Sequence, residues 1–503
     1  MLEALLVQKA KENPVKTAIV YGDIKVSYRE LYAHIRRLCS RLASCGVNEG
    51  DCVAILLPNC AQFAISFFAA VKLKAIALPL SHLSKTEEVS YCTNDTGAKV
   101  IITDKSRADL AGQVRSKANH NIEIIVVDTI APPVQAPQED FLDPDVPVSF
   151  SGKVLYQYSS GSTGRPKRVC RTQYNLYHEA RNFAATTEVN PCDSILCIVP
   201  LYHAHGLGNC MLAALCNGAT LVILEPLVQK GKAIETAFLF RRQRVLELIE
   251  QEKVTILPAV PHLFKTLSET SDDIQVDLSS LRLCFSAGNF LSKEVFTQFL
   301  ERWNVPVRQL YGCTEAGSVC INRDDQPQKS YASVGTPMQN VEIRIVDEER
   351  KPLTDGEIGE IVIQSEALAA GYDNMPELTQ QVFDNGSFFT GDLGKKDNAG
   401  RIFITGRQKI LIDSGGYKVD PIEIEAVLMS HPGIREAVVV GIKDSAAGEK
   451  IKAVIVSHGD CHASAIRSFC KEKLAEYKIP KIIEFMDEIP KSPVGKILRK
   501  ELV

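Results

Sequence analysis

Apolar positions along this chain follow two patterns that alternate. One is the helical stripe; the other is the short run in which every residue is apolar. In residues 27–46, Leu31, Ile35, Leu38 and Leu42 line one helical face. Ser27 and Glu30 form a capping-box pattern at its start, and Gly46 supplies the stop. Residues 52–57 follow as a buried strand. Similar helix-then-strand units recur at 61–80, 207–224, 234–257 and 291–310. This alternation predicts α/β layers with parallel strands.

From 341 to 404 the pattern changes to strands, at 341–346, 358–363 and 401–404, with few helices. A small β-rich unit is expected there. Beyond Gly406 the alternation resumes on a smaller scale. Helices are expected at 421–430 and 464–476, with strands at 435–442, 450–456 and 482–485. That is enough for a separate small α+β domain, so the chain divides into 1–407 and 408–503. Residues 131–147 hold five prolines and several acids, the composition of a surface connection between two halves of the large domain.

The most apolar stretch, 63–80, is interrupted by Lys72 and Lys74. A buried helix followed by a core strand explains it better than an integral membrane span.

Composition narrows the classes. A hydrophobic share of 45% with 23% charged residues is that of a soluble globular protein. A formal charge of −4 gives no electrostatic reason to expect a nucleic-acid partner. The fifteen cysteines lack paired spacing, and Glu3, Lys9 and Lys11 interrupt the apolar start, which argues against a cleaved targeting segment. Reduced thiols and a cytoplasmic location are expected.

Candidate chemistry begins at Tyr158-Ser159-Ser160-Gly161-Ser162-Thr163-Gly164-Arg165-Pro166-Lys167. Glycines let backbone N–H groups approach an anion, hydroxyls add hydrogen bonds, and lysine adds charge. Alone, the segment also fits an ordinary Gly/Ser turn. It is not a Walker A loop, because Pro166 stands five places after Gly161. Extended runs on both sides predict that it joins two strands, with a helix near Asn175.

A second segment is Leu310-Tyr311-Gly312-Cys313-Thr314-Glu315. Glu315 suits Mg²⁺, Thr314 a phosphate oxygen and Tyr311 the face of a base. A solvated turn glutamate is the plainer alternative. A third is Thr390-Gly391-Asp392, where the aspartate suits ribose hydroxyls or is a simple β-turn residue. Two more are Thr405-Gly406-Arg407-Gln408-Lys409, at the domain boundary, and Pro490-Lys491-Ser492-Pro493-Val494-Gly495-Lys496, a loop that could deliver a charge.

With these five motifs in this order, the chain from about residue 20 onward resembles the adenylate-forming superfamily of acyl-CoA synthetases, adenylation domains and beetle luciferases. The resemblance implies a large N-terminal domain with two α/β sheets and a small β-barrel, followed by a small, mobile C-terminal α+β lid. It implies that Ser159, Ser160, Gly161, Ser162, Thr163, Gly164 and Lys167 grip the phosphates of ATP. Thr314 and Glu315 then serve the α-phosphate and Mg²⁺. Ser286, Ala287 and Gly288, with Tyr311 and Gly312, flank adenine, while Asp392 and Arg407 hold ribose. His203, Gly288 and Gly312 border the acid. Lys409 is the hinge, Gly415 and Gly416 belong to the thiol-acceptor face, and Lys496 is the lysine of adenylation.

Three positions depart from the family pattern: Arg168 stands where glycine is usual, Gln173 where histidine is common, and Ile410 where the hinge often has aspartate. Arg168 and Ile410 put loop mobility and domain docking in question. Amino-acid-activating members carry an aspartate after the aromatic of the substrate segment. Tyr202-His203-Ala204-His205-Gly206-Leu207 has none, so a fatty or other non-amino acid is expected.

The implied activity is acid–thiol ligation. ATP and the acid give acyl-AMP and pyrophosphate, and the acyl group passes to coenzyme A. A carrier-protein phosphopantetheine arm is the alternative acceptor. A luciferase-like oxygenase and a non-catalytic binding module are further alternatives, the latter opposed by Glu315, Asp392, Arg407 and Lys496 occurring together. A kinase or P-loop ATPase fails on loop spacing.

Overall fold

A computed structural model describes residues 1–128, 152–159, 166–229, 232–234, 238–373, 375–407, 412–414, 417–419, 421–444, 448–459, 461–474, 478–491 and 497–503. Among them, a nine-stranded sheet runs in the order Thr336–Pro337, Gly317–Ile321, Val307–Cys313, Leu283–Ser286, Ile256–Ala259, Ser194–Cys197, Thr220–Ile223, Thr17–Tyr21, Ile24–Ser27. Its middle strands are parallel and its edges antiparallel. A seven-stranded sheet runs Gly371–Tyr372, Lys167–Thr172, Lys153–Ser159, Ile76–Pro79, Cys52–Leu56, Val100–Thr103, Glu123–Val126.

The expected α/β alternation is present. The capping box forms at Ser27: its hydroxyl accepts from Glu30 N at 3.3 Å, while Ser27 N donates to the Glu30 carboxylate at 2.8 Å. The helix Tyr28–Ser44 buries Leu31, Ile35, Leu38 and Leu42, as its stripe requires. The apolar stretch becomes the helix Ala61–Lys72, buried on every side, and the strand Ile76–Pro79. Among the described residues no helix is long and apolar enough to cross a membrane.

Burial on both sheet faces explains the uniformly apolar strands. In Cys52–Leu56, Val53 and Ile55 enter the largest core, together with Ile19, Phe63, Phe67 and Leu221. Cys52, Ala54 and Leu56 enter a second core on the opposite face.

A third, curled sheet forms a half-barrel. Its order is Val341–Val346, Gly359–Ser365, Ser387–Lys396, Phe383–Asp384, with Ile402–Arg407 also pairing Ser387–Lys396. The strand Ser387–Lys396 escaped the sequence pattern because Thr390-Gly391-Asp392 interrupts its apolar positions. A fourth sheet runs Tyr417–Val419, Ile412–Ser414, Gly448–Ser457, Ile434–Asp444, with Ile482–Phe485 on Gly448–Ser457. The helices Pro421–Met429 and Ala463–Lys473 bury Ile424, Leu428, Ile466 and Cys470 in the same core as Val439 and Ile455.

Two local differences stand out. Residues 234–257 do not begin as a helix. Leu227–Gln229 pairs with Lys232–Ile234 as a hairpin, and the α-helix spans Arg242–Gln251. Residues 207–212 form a π-helical segment, in which each hydrogen bond spans one residue more than in an α-helix. By backbone contacts, the chain falls into one compact unit of 1–344, 362–389 and 396–403, and another of 345–361, 390–395 and 404–503.

Candidate active site

The strands Lys153–Ser159 and Lys167–Thr172 are antiparallel, with Ser159 opposite Lys167. The glycine- and hydroxyl-rich segment therefore joins two strands, as its flanks predicted. Ser160, Gly161, Ser162, Thr163 and Gly164 lie outside the described residues. Lys167 holds its ammonium 4.8 Å from the ring centroid of Tyr372. Such cation–π contacts contribute about 0.5–2 kcal/mol, depending on desolvation.

Arg168, the departure from glycine, is buried and built into a network. Its guanidinium donates to Asp95 Oδ2 at 2.8 Å and to Asp373 Oδ2 at 3.3 Å, and stacks 4.9 Å over Tyr156. Asp373 also accepts from Lys153 Nζ at 2.8 Å and from the Tyr156 hydroxyl at 2.7 Å. Burial pushes the Asp373 carboxyl up, but the bonds from Lys153 and Tyr156 and the charges of Lys153 and Arg168 together outweigh it and hold the carboxyl below its ordinary value. The strand that follows the loop is thus anchored to the helix Thr86–Thr96 and to Asp373.

Thr314 and Glu315 sit at the turn of the hairpin formed by Val307–Cys313 and Gly317–Ile321. Thr314 is half-buried and Glu315 buried. Glu315 O accepts from Ala369 N at 2.7 Å, and its Oε1 accepts from the Tyr372 hydroxyl at 2.8 Å. Tyr372 lies in the two-residue strand Gly371–Tyr372, which pairs with Val169 and Cys170. One tyrosine therefore joins the loop lysine to the acidic turn. Sequence reasoning missed it; a single Gly-Tyr step carries no distinctive signal.

Ser286 ends a strand whose neighbours are Ile256–Ala259 and Val307–Cys313, all parallel. Ligands of open α/β sheets bind beyond such carboxyl ends. Ala287 is buried, Gly288 and Gly312 are exposed, and Tyr311 is half-buried. The Ser286 hydroxyl is buried and has no hydrogen-bond partner among the described residues.

His203 is half-buried, its ring 4.4 Å from that of Tyr202, whose carbonyl accepts from Gln157 Nε2 at 3.0 Å. His205 has a structural setting. Its Nε2 meets Ala259 O at 3.0 Å and its Nδ1 meets Asn209 Nδ2 at 2.9 Å. A carbonyl can only accept, so Nε2 carries the proton. Burial pushes this imidazole down to about 4, against the opposing bond to Ala259.

Asp392 is buried within Ser387–Lys396 and pairs with Arg407 Nε on Ile402–Arg407. Its own N–H donates to Thr390 Oγ1 at 3.0 Å, and Gly391 N donates to Glu360 Oε1 at 2.8 Å. Burial raises the Glu360 carboxyl despite that bond. Lys409, Gly415, Gly416 and Lys496, and the 131–147 connection, lie outside the described residues.

Among the described residues, no three or more His, Cys, Asp or Glu side chains gather into a metal cluster. Glu315 with Thr314 offers one carboxylate and one hydroxyl. That set is too sparse for a caged cation, but it fits Mg²⁺, which takes one or two carboxylates and fills its shell with phosphate oxygens and water.

Comparison with known proteins agrees with this fold. Residues 6–373 match the family described as AMP-binding enzyme, and residues 423–496 match the AMP-binding enzyme C-terminal domain. The chain is 31% identical to the long-chain-fatty-acid–CoA ligase FadD13 of Mycobacterium tuberculosis, over 99% of this chain and 97% of that protein. Its fold is similar to ATP-bound MatB from Rhodopseudomonas palustris, with a TM-score of 0.84, 25% identity, and 100% and 98% of the two chains covered. It is also similar to o-succinylbenzoate CoA synthetase from Bacillus subtilis in complex with the acyl-adenylate OSB-AMP. There the TM-score is 0.86 and the identity 28%, over 99% and 97% of the chains. The chain belongs to the AMP-binding enzyme family.

Proposed function

We propose that the protein is an AMP-forming acid–thiol ligase that makes acyl-CoA. A carboxylate oxygen attacks the α-phosphorus of ATP, the bond to the β-phosphate breaks, and pyrophosphate leaves. The thiol of coenzyme A then attacks the acyl carbonyl; AMP departs and the thiol proton is lost. The single observation that carries this reading is Tyr372, which joins Lys167 at the end of the loop to Glu315 at the acidic turn.

Both partners of the first step are anions, so the site must supply positive charge and hold them in line. Lys167 does so at the end of the loop, and Lys496 is proposed to do so from the C-terminal domain, residues 408–503. Glu315 and Thr314 would hold Mg²⁺, which when bound neutralises phosphate charge. Asp392 would accept both ribose hydroxyls, with Arg407 beside it. Ser286, Ala287, Gly288, Tyr311 and Gly312 would border adenine, and His203, Gly288 and Gly312 the acid. For the second step, pivoting at Lys409 would exchange Lys496 for the face containing Gly415 and Gly416.

The acid is proposed to be fatty or another non-amino acid, since no carboxylate follows Tyr202 to pair an α-amine. FadD13 and the o-succinylbenzoate enzyme, both named for CoA, favour coenzyme A over a carrier protein. None of the fifteen cysteines is in a disulfide, which fits a reducing, cytoplasmic setting.

ATP–pyrophosphate exchange across fatty, aryl and dicarboxylic acids, followed by coenzyme A, tests the reading. Acid-dependent exchange and an acyl-CoA product are expected. Exchange without that product would turn the second step toward a carrier protein, and absence of exchange with every acid would overturn the ligase reading.

A further inference from the structure

Arg171 and Glu179 form an ion pair that is almost wholly buried, with side-chain exposures of 1% and 3% and a separation of 2.7 Å. No motif contains either residue. Arg171 lies on the strand Lys167–Thr172, four residues after the loop lysine. Glu179 lies on the following helix Gln173–Thr187, on the face that also buries Leu176 and Phe183.

What the pair touches is more telling than its depth. Arg171 Nη2 donates to Ala367 O at 2.8 Å. Two residues on, Ala369 N holds the Glu315 carbonyl, and Tyr372 of the same segment holds the Glu315 carboxylate. The Glu179 carboxylate fills the space a side chain at Gly317 would take, two residues beyond Glu315. A Cβ at Gly317 would come within 2.3–2.7 Å of it, and one at Gly208 within 2.2 Å of Glu179 Oε1. Only glycine at both places leaves room for this carboxylate. The pair thus braces the acidic turn on two sides: through Gly317 and through the 367–372 segment.

As a device for stability the pair is poor. Two buried charges carry a desolvation cost that well-packed apolar side chains avoid. Among the described residues Arg171 Nε is buried without a hydrogen-bond partner, so the charge is incompletely satisfied there. Its contacts converge instead on the turn that carries Glu315. We propose that Arg171 and Glu179 are a positioning pair, which sets the Glu315 turn in the place from which that carboxylate meets the magnesium nucleotide. This rests on the ATP-dependent reading above.

The test is calorimetric titration of ATP into the full-length protein, with no acid present, once in Mg²⁺ and once in EDTA. The readout is the ratio of the two dissociation constants. For the unaltered protein, Mg²⁺ is expected to tighten ATP binding. In Glu179→Gln, which keeps the shape and removes the charge, the ratio should shrink about fivefold or more. The apolar double variant Arg171→Met/Glu179→Leu should fold and lose the ratio similarly, and it carries the test if the single variant does not fold. Lys25→Ala, which breaks the more exposed Lys25–Glu252 pair, should leave the ratio unchanged.

An unchanged ratio in a folded variant overturns the positioning role. So does failure of the double variant to fold, since the pair would then be needed for the core itself. If the unaltered protein binds no ATP, the ligase reading fails and the positioning role falls with it; that outcome is separate, because it appears before any variant is compared.

Discussion

Arg171–Glu179 and Arg407–Asp392 are chemically the same contact in opposite settings. The first is sealed, at 1% and 3% exposure. In the second the aspartate is buried at 8%, but half of the arginine side chain, 49%, faces solvent. A sealed pair can hold only protein groups in place. A pair open on one side can share its donors and acceptors with an incoming hydroxyl without exposing a buried charge. The difference separates framework from candidate binding surface more clearly than residue type does.

Removing one partner of the sealed pair should have the largest effect. Arg171→Leu leaves an unpaired buried carboxylate and is expected to cost roughly 3–5 kcal/mol in denaturant unfolding. A loss no greater than that of a surface substitution would show that Glu179 finds water in the native protein. Gly317→Ala comes next. It forces a side chain into φ of +69° and onto the Glu179 carboxylate. Left-handed backbone at a non-glycine residue alone costs about 1–3 kcal/mol. Lower stability and weaker ATP binding in Mg²⁺ should appear together, and intact ATP binding would detach the turn from the site.

On the open side, Asp392→Ala should weaken ATP binding by about 10- to 100-fold, the range for losing hydrogen bonds to a charged acceptor. Its unfolding transition should barely move, because Arg407 can turn to solvent. The reverse pattern, with lower stability and unchanged ATP affinity, would make Asp392 part of the framework.

The smallest effect concerns His205, which is sealed like Arg171 but neutral. Its folded value of about 4 lies below the ordinary value near 6.5, so the unfolded chain takes up the proton first. The stabilisation is complete above about pH 6.5 and is lost as pH falls toward 4. From pH 7 to 5.5 the loss should be roughly 1 kcal/mol. His205→Gln should flatten that part of the melting-temperature profile, and an equal slope in both proteins would assign the acid sensitivity elsewhere.

Much of the local framework around the candidate site could be read from sequence. The hairpin around the loop was legible because apolar runs flank it, and Ser159 does lie opposite Lys167. Asp392 and Arg407 were named separately for one task, and they meet on paired strands. Tyr372 was not legible, since its partners Lys167 and Glu315 lie far away along the chain and are joined only by strand pairing. Glu179 did leave a trace: it is a charge on the buried face of an otherwise amphipathic helix. Such a trace says that a partner must exist, and leaves open which one. Arg168 shows the converse. It reads as a departure that disturbs the loop, yet Asp95 and Asp373 absorb its charge.

By itself, the sequence determined the α/β layering, the change to a smaller C-terminal unit and the residue types on offer at the candidate site. Periodicity, caps and turn residues act within a few positions, so they are written locally. Only the tertiary structure decided which groups meet: Tyr372 between Lys167 and Glu315, and Arg171 with Glu179 beside Gly317. Those contacts depend on which strands become neighbours in a sheet, and on where glycine leaves room for a buried carboxylate.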